Sequence, residues 1–378
     1  MQAAFLIAPQ RLELREVPAP RAAPDGLVLR VKACGVCGSD LRRWREGPPA
    51  GVTHLVQGHE LAGIVVEVGA QVSRFKVGDR LAVAPDIHCG ECWYCRRGLF
   101  NLCTHLTLLG ITPGLDGGFA ERVALSGDVL RNGIVHPLPD EIGFRAGALA
   151  ETLSSVLATH AKCETSLGET VVVIGAGPTG CLHLIVARAR GARVILSQTS
   201  ALRRQTAARF APEAIIDAGT QDVVAEVKRL TQGLGADVVI CANPVAATQT
   251  QAVEMTRRGG RIVLFGGLPK ANPMVSLNAN LIHYGEQSVI GAFSYHPRFH
   301  QEALDTLRRK VVDASQIVTH TRPLSQVSEA FAIAASGEAL KVMIEPEAVP
   351  ETAALDRLTA AHLDELLVSS ATPAPSTS

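Results

Sequence analysis

The sequence predicts an α/β protein: a doubly wound parallel sheet joined to a second, β-rich domain. Three observations predict it. From about residue 168, apolar runs such as TVVVI, RVILSQ, ADVVICAN and RIVLFGG alternate with helical segments, the pattern of a parallel sheet covered on both faces. Before about residue 150, the runs GLVLRVKAC, LAGIVVEVGA and DRLAVAPD are separated by glycine and proline, which punctuate strands. Between them, GAGPTG (175–180) sits where the first strand of the alternating half turns into its first helix.

Taken in order, residues 1–154 form the first part of the β-rich domain, with a cysteine-rich lobe at 88–105. Residues 155–294 form the doubly wound domain. Residues 295–348, with a helical HQEALDTLRRK and a strand-like LKVMIEP, return to the β-rich domain. In the extension 349–378, the leucines of ETAALDRLTAAHLDELL have roughly helical spacing, and the SSATPAPSTS after them is expected to be disordered. A chain of 378 residues, 47% hydrophobic and 19% charged, has material for two cores. Basic and acidic residues balance at 36 each, which gives no reason to expect nucleic acid or an anionic membrane as partner. With no signal-like N-terminus and no membrane-length apolar run, a cytoplasmic location is expected.

HCGECWYCRRGLFNLC places Cys89, Cys92, Cys95 and Cys103 within fifteen residues. A disulfide knot is disfavoured in a reducing compartment. Four thiolates at this spacing suit one tetrahedral Zn²⁺, and a full sulfur set leaves no open position, so the site is expected to be structural. An iron–sulfur cluster is the competing reading, and a metal-free loop the bland one. Elsewhere CGVCGSD, GHE and AET contribute Cys37, His59 and Glu151. Thiolate, imidazole and carboxylate make a three-donor zinc site with a fourth position open for an oxygen. Singly, each residue reads as well as core or surface. Cys34, Cys163, Cys181 and Cys241 lie in apolar contexts and read as inert buried thiols.

The motifs GVCGSD, GHE, VGDRLAV, the four-cysteine lobe, AGALAET, VVVIGAGPTG and LKVMI together resemble the zinc-containing medium-chain alcohol dehydrogenases, most closely their polyol (sorbitol-like) branch. The likeness runs from residue 1 to about 346. It implies a GroES-like catalytic domain beside a Rossmann domain, with Cys37, His59 and Glu151 on a catalytic zinc and the lobe cysteines on a structural one. It also implies Glu60 in or near the metal's shell, Asp40 as a partner fixing the His59 tautomer, and Ser39 exchanging a proton with the alcohol. Lys341, in the closing LKVMI, is expected at the dinucleotide. The activity implied is hydride transfer between a secondary alcohol and NAD or NADP. Relatives pair through a sheet edge, here around 288–293, so a homodimer or homotetramer is expected.

Gly175, Gly177, Pro178, Thr179 and Gly180 form a GxGxxG turn between strand and helix, where a pyrophosphate meets helix amides. Gln198 stands where an acid would accept from the adenosine ribose. The missing carboxylate, with Arg203 and Arg204 close by, tilts the reading toward NADP. The competing reading keeps Gln198 on a ribose hydroxyl and leaves both arginines in solvent. Arg42 occupies the place where many relatives carry a proton-relaying histidine, and an arginine cannot serve as a general base. Trp44 reads either as pocket lining or as packing. Two rival functions stand beside the dehydrogenase: a biosynthetic reductase of an activated carbonyl or imine, and a dinucleotide-binding relative without turnover.

Overall fold

The computed structural model describes residues 1–53 and 55–346; the expected extension 349–378 lies outside the described residues. The chain opens with a hairpin of β1 (Gln2–Ala8) and β2 (Arg11–Glu16). There follow β3 (Leu27–Gly35), α1 (Gly38–Glu46), β4 (Glu60–Val68), β5 (Arg80–Ile87), β6 (Thr107–Leu108), β7 (Arg122–Leu125), α2 (Gly127–Asn132) and β8 (Gly133–Pro137). β3, β4 and β5 pair antiparallel, and the sheet curls so that β7 also pairs with β3 and β8 with β5. Its interior is closed by Leu27, Leu29, Leu61, Leu81, Phe119 and Phe331, all fully buried.

α3 (Phe144–Lys162) leads out of this domain. The boundary expected at 154/155 falls inside this single helix, which packs on β4 at one side and on the second domain at the other. The second domain is built of β9 (Thr170–Ile174), α4 (Pro178–Ala189), β10 (Arg193–Gln198), α5 (Ala201–Ala208), β11 (Ala214–Asp217), α6 (Val223–Leu230), β12 (Ala236–Cys241), α7 (Ala246–Met255), β13 (Thr256–Leu264), α8 (Ala279–Gly285) and β14 (Ser288–Gly291). The six strands are all parallel, in the order β11-β10-β9-β12-β13-β14. β9 is buried along its whole length, which is why it reads TVVVI without alternation. The order reverses between β10–β9 and β12, and that switch point is where such sheets bind ligands, beyond the strands' C-terminal ends.

The chain then returns through α9 (Arg298–Arg308), α10 (Ala314–Ile317), β15 (Val318–Pro323), α11 (Val327–Ser336) and β16 (Lys341–Glu345). β16 pairs antiparallel with β3, through Met343–Gly35 and Ile344–Cys34. This pairing brings Lys341 beside the start of α1. Cys34, Cys163, Cys181 and Cys241 are buried thiols, as expected. Trp44 packs with its ring 5.9 Å from Phe331, so it is part of the core wall.

Candidate active site

Cys37 is the residue before α1, and Asp40, one turn on, reaches back to accept from its backbone N–H at 2.9 Å. This exchange satisfies one of the orphan donors of a helix start and fixes where the thiol stands. His59 and Glu60 enter at the head of β4, opposite Gly35 of β3. A Cβ on Gly35 would lie 2.0 Å from a Glu60 carboxylate oxygen, so glycine makes room for that carboxylate. The ligand atoms of Cys37, His59 and Glu60 all lie within 4.8 Å of one another. His59 turns Nδ1 toward Asp40, 3.5 Å away, and Nε2 toward Ser39 Oγ at 3.4 Å. Gln57 holds Asp40 from the other side at 3.2 Å. Burial alone would favour the neutral imidazole, but Asp40 and Cys37 outweigh it and raise the His59 pKa well above its ordinary value. Such electron-rich surroundings suit a cation.

Glu151, on α3, does not join this group of donors. Its carboxyl accepts from the Tyr295 hydroxyl at 3.0 Å, and burial first, then repulsion from Glu60, push it up to about 7. The expected third donor thus stands beside the set, and Glu60 stands within it. Lys341, expected at the cofactor, is instead turned inward. Its ammonium is 2% exposed and meets Glu60 at 2.6 Å and the Val36 carbonyl at 3.4 Å. Burial opposes the charge on both partners, yet their mutual attraction lowers the Glu60 pKa and raises that of Lys341. Losing either partner of such a pair leaves an uncompensated buried charge, at a cost of roughly 3–5 kcal/mol.

The four lobe cysteines fit a tetrahedral metal. Sulfurs 2.3 Å from one ion stand about 3.8 Å apart. Cys92 and Cys95 are 3.5 Å apart, Cys89 and Cys95 4.0 Å, and all four sulfurs lie within 4.8 Å of one another. Backbone N–H groups point at the cluster from Cys89 and His105 toward Cys103, and from Cys92 toward Cys89. Hydrogen bonding of this kind lowers Cys92 to about 5, while burial pushes Cys95 up to about 12.

The glycine turn fits a dinucleotide. Gly175 has φ +107°, and a Cβ on Gly180 would stand 1.9 Å from the Gly175 carbonyl oxygen. A Cβ on Gly177 would meet nothing closer than the Arg203 guanidinium at 4.0 Å, so open space faces the N-terminus of α4 there. Pro178 and Thr179 start that helix. Gln198 and Arg204 are committed locally. Gln198 Oε1 accepts from Ser200 N and Thr199 Oγ1, and Arg204 forks onto both oxygens of Asp217 at 2.8 and 2.7 Å. Arg204, expected within reach of a cofactor phosphate, is here paired with Asp217. Arg203 lies between the glycine turn and Gly337. Tyr295 was not singled out in the sequence, and Lys341 and Glu60, each expected at the site, were not expected to pair with one another.

These donors, this turn and this pair of sheets define a metal-assisted, dinucleotide-linked oxidoreductase. The chain belongs to the zinc-binding alcohol dehydrogenases: residues 23–140 match the alcohol dehydrogenase GroES-like domain and residues 178–309 the zinc-binding dehydrogenase domain. It is 32% identical to the sorbitol dehydrogenase of Bacillus subtilis over 354 residues, covering 92% of this chain and 97% of that one. It is also 32% identical to sorbitol dehydrogenase of Mus musculus, covering 89% and 93%. Among solved structures, a zinc-binding dehydrogenase of Sinorhizobium meliloti bound to NADP superposes with a TM-score of 0.83 at 30% identity, over 91% of this chain and 99% of that one.

Proposed function

We propose that the protein interconverts a secondary alcohol of a polyol-type substrate and its ketone, with NAD or NADP as the second substrate. The observation that carries this reading is the Cys37–His59–Glu60 donor set at the foot of α1, with the exposed Ser39 hydroxyl 3.4 Å from His59 Nε2. When bound there, zinc supplies Lewis acidity to the substrate oxygen, and the nicotinamide supplies or accepts hydride. Cys37 and His59 would hold the metal, and donor spacing supports Glu60 as third partner ahead of Glu151. Asp40 orients His59, and Lys341 balances the Glu60 charge. Ser39 accepts a hydrogen bond from the alcohol and takes its proton on toward solvent, since Arg42, exposed on the same helix, stays charged and cannot act as base. Gly175, Gly177 and Gly180 admit the pyrophosphate, Pro178 and Thr179 open the helix that receives it, and Arg203 meets the cofactor phosphates.

The related sorbitol dehydrogenases support the polyol class. We read the exposed edge around Val289 and Phe293 as the homo-oligomeric contact, and the nine free thiols as fitting the cytoplasm. The test is a panel of polyols, sugars, cyclitols and amino alcohols with NAD and with NADP, followed by reduced-nicotinamide absorbance. Turnover with a polyol supports the reading, and Ser39→Ala then lowers kcat about 10²-fold or more with little change in KM. Reduction of imines or activated carbonyls alone, or no turnover in a zinc-loaded protein, overturns it.

A further inference from the structure

A cavity of about 820 Å³ lies where the cysteine lobe meets the end of α3 and the segment after β14. That size falls in the range of small-molecule sites. Its walls are held from three sides without a ligand. Asn101 of the lobe donates to the Phe293 carbonyl at 2.8 Å, and Lys162 at the end of α3 donates to the Gly291 carbonyl at 2.8 Å. Tyr295, also in the wall, gives its hydroxyl to Glu151 at 3.0 Å. Leu99, Leu102, Leu264, Phe293 and Phe299 make the lining largely apolar. Three of these face water: Leu99 is 40% exposed, Leu102 45% and Phe293 60%.

Lys162 and Arg298 also line the cavity, and no Asp or Glu does. Lys162 gives one ammonium hydrogen to Gly291 and keeps two for a ligand. The Arg298 guanidinium lies 4.6 Å over the Phe299 ring, so cation and apolar surface stand side by side. Among the described residues neither cation forms an ion pair. An apolar cavity edged by unpaired cations favours a ligand with an apolar body and one anionic end. The body gains from burial, and the anion gains charge-assisted hydrogen bonds. A neutral polyol supplies neither. We propose that this cavity binds an amphipathic carboxylate, its tail on Leu99, Leu102 and Phe293 and its anionic end taken by Lys162 and Arg298. The proposal stands whether or not the substrate is a polyol.

The test titrates octanoate, octanamide and octylammonium, which share one tail and differ in charge, into the zinc-loaded full chain by calorimetry. Octanoate is expected to bind saturably and about tenfold or more tighter than octanamide, with octylammonium weakest. Lys162→Gln/Arg298→Gln, changed at two exposed positions, is expected to lose about tenfold or more on octanoate and to hold octanamide within about twofold. Arg298→Gln alone loses a smaller factor on octanoate and decides the matter if the double variant does not fold. Cys37→Ser, which removes a donor of the proposed catalytic zinc, is expected to keep the octanoate affinity. Loss of binding in that variant means that the carboxylate sat on the metal, and it overturns the proposal. A folded cation variant that binds octanoate like wild type overturns it too. So does a wild type without saturable binding, as when a second copy fills the cavity across the Phe293 edge.

Discussion

Two histidine pairs, three of whose four rings are buried, make the fold sensitive to mild acid. His136 on β8 and His300 on α9 stack with Nδ1 atoms 2.9 Å apart; His160 on α3 and His183 on α4 meet at 3.2 Å. Burial lowers His136 to about 4, His300 and His160 to about 3, and His183 well below its ordinary value. The unfolded chain protonates these rings near pH 6.5, and the folded chain does not until several units lower. Stability is therefore complete above about pH 6.5 and is lost as pH falls toward the folded values. At pH 5 each ring held neutral costs about 2 kcal/mol, and less for His136, which Arg74 also influences and solvent partly reaches. Guanidinium unfolding of wild type and of His136→Gln/His300→Gln at pH 7.5 and 5.0 reads the difference. The double variant is expected to lose about 3–4 kcal/mol less than wild type between the two pH values. Acid release of metal acts on both proteins alike. Equal losses in the two would refute the reasoning.

Gly180→Ala forces a methyl to within 1.9 Å of the Gly175 carbonyl, so the turn must open. Overpacking of this kind costs about 1–3 kcal/mol, and dinucleotide affinity, measured by nicotinamide fluorescence titration, is expected to fall by at least about tenfold. Cys95→Ser removes one of the two buried sulfurs of the lobe. It is expected to release one zinc and to speed proteolysis within residues 88–105, while the parallel sheet keeps its protection.

Where one motif sets one local geometry, the sequence was readable. Gly175 and Gly180 have steric duties that no other residue meets, and closely spaced cysteines must converge. The parallel strands were legible because burial on both faces removes alternation, as in TVVVI. Contacts made between distant segments were not legible. Lys341 reaches Glu60 only because β16 pairs with β3, and Tyr295 reaches Glu151 only through the packing of the returning chain on α3. The pairing of Arg204 with Asp217, thirteen residues on, was hidden too, because the two become neighbours only through the parallel register of β10 and β11. Likewise the proximity of Glu60 to Cys37 is set by the β3–β4 register, so GHE alone did not reveal which carboxylate joins the donor set.

The central claim, that Cys37, His59 and a neighbouring carboxylate hold a zinc separate from the lobe, is tested most directly by metal stoichiometry. Zinc per folded chain should be close to two in the wild type, matching the two donor groups, and close to one in Cys37→Ser, with turnover lost and the unfolding midpoint little changed. A wild type holding a single zinc, or a Cys37→Ser variant that keeps both ions and its activity, would contradict the account.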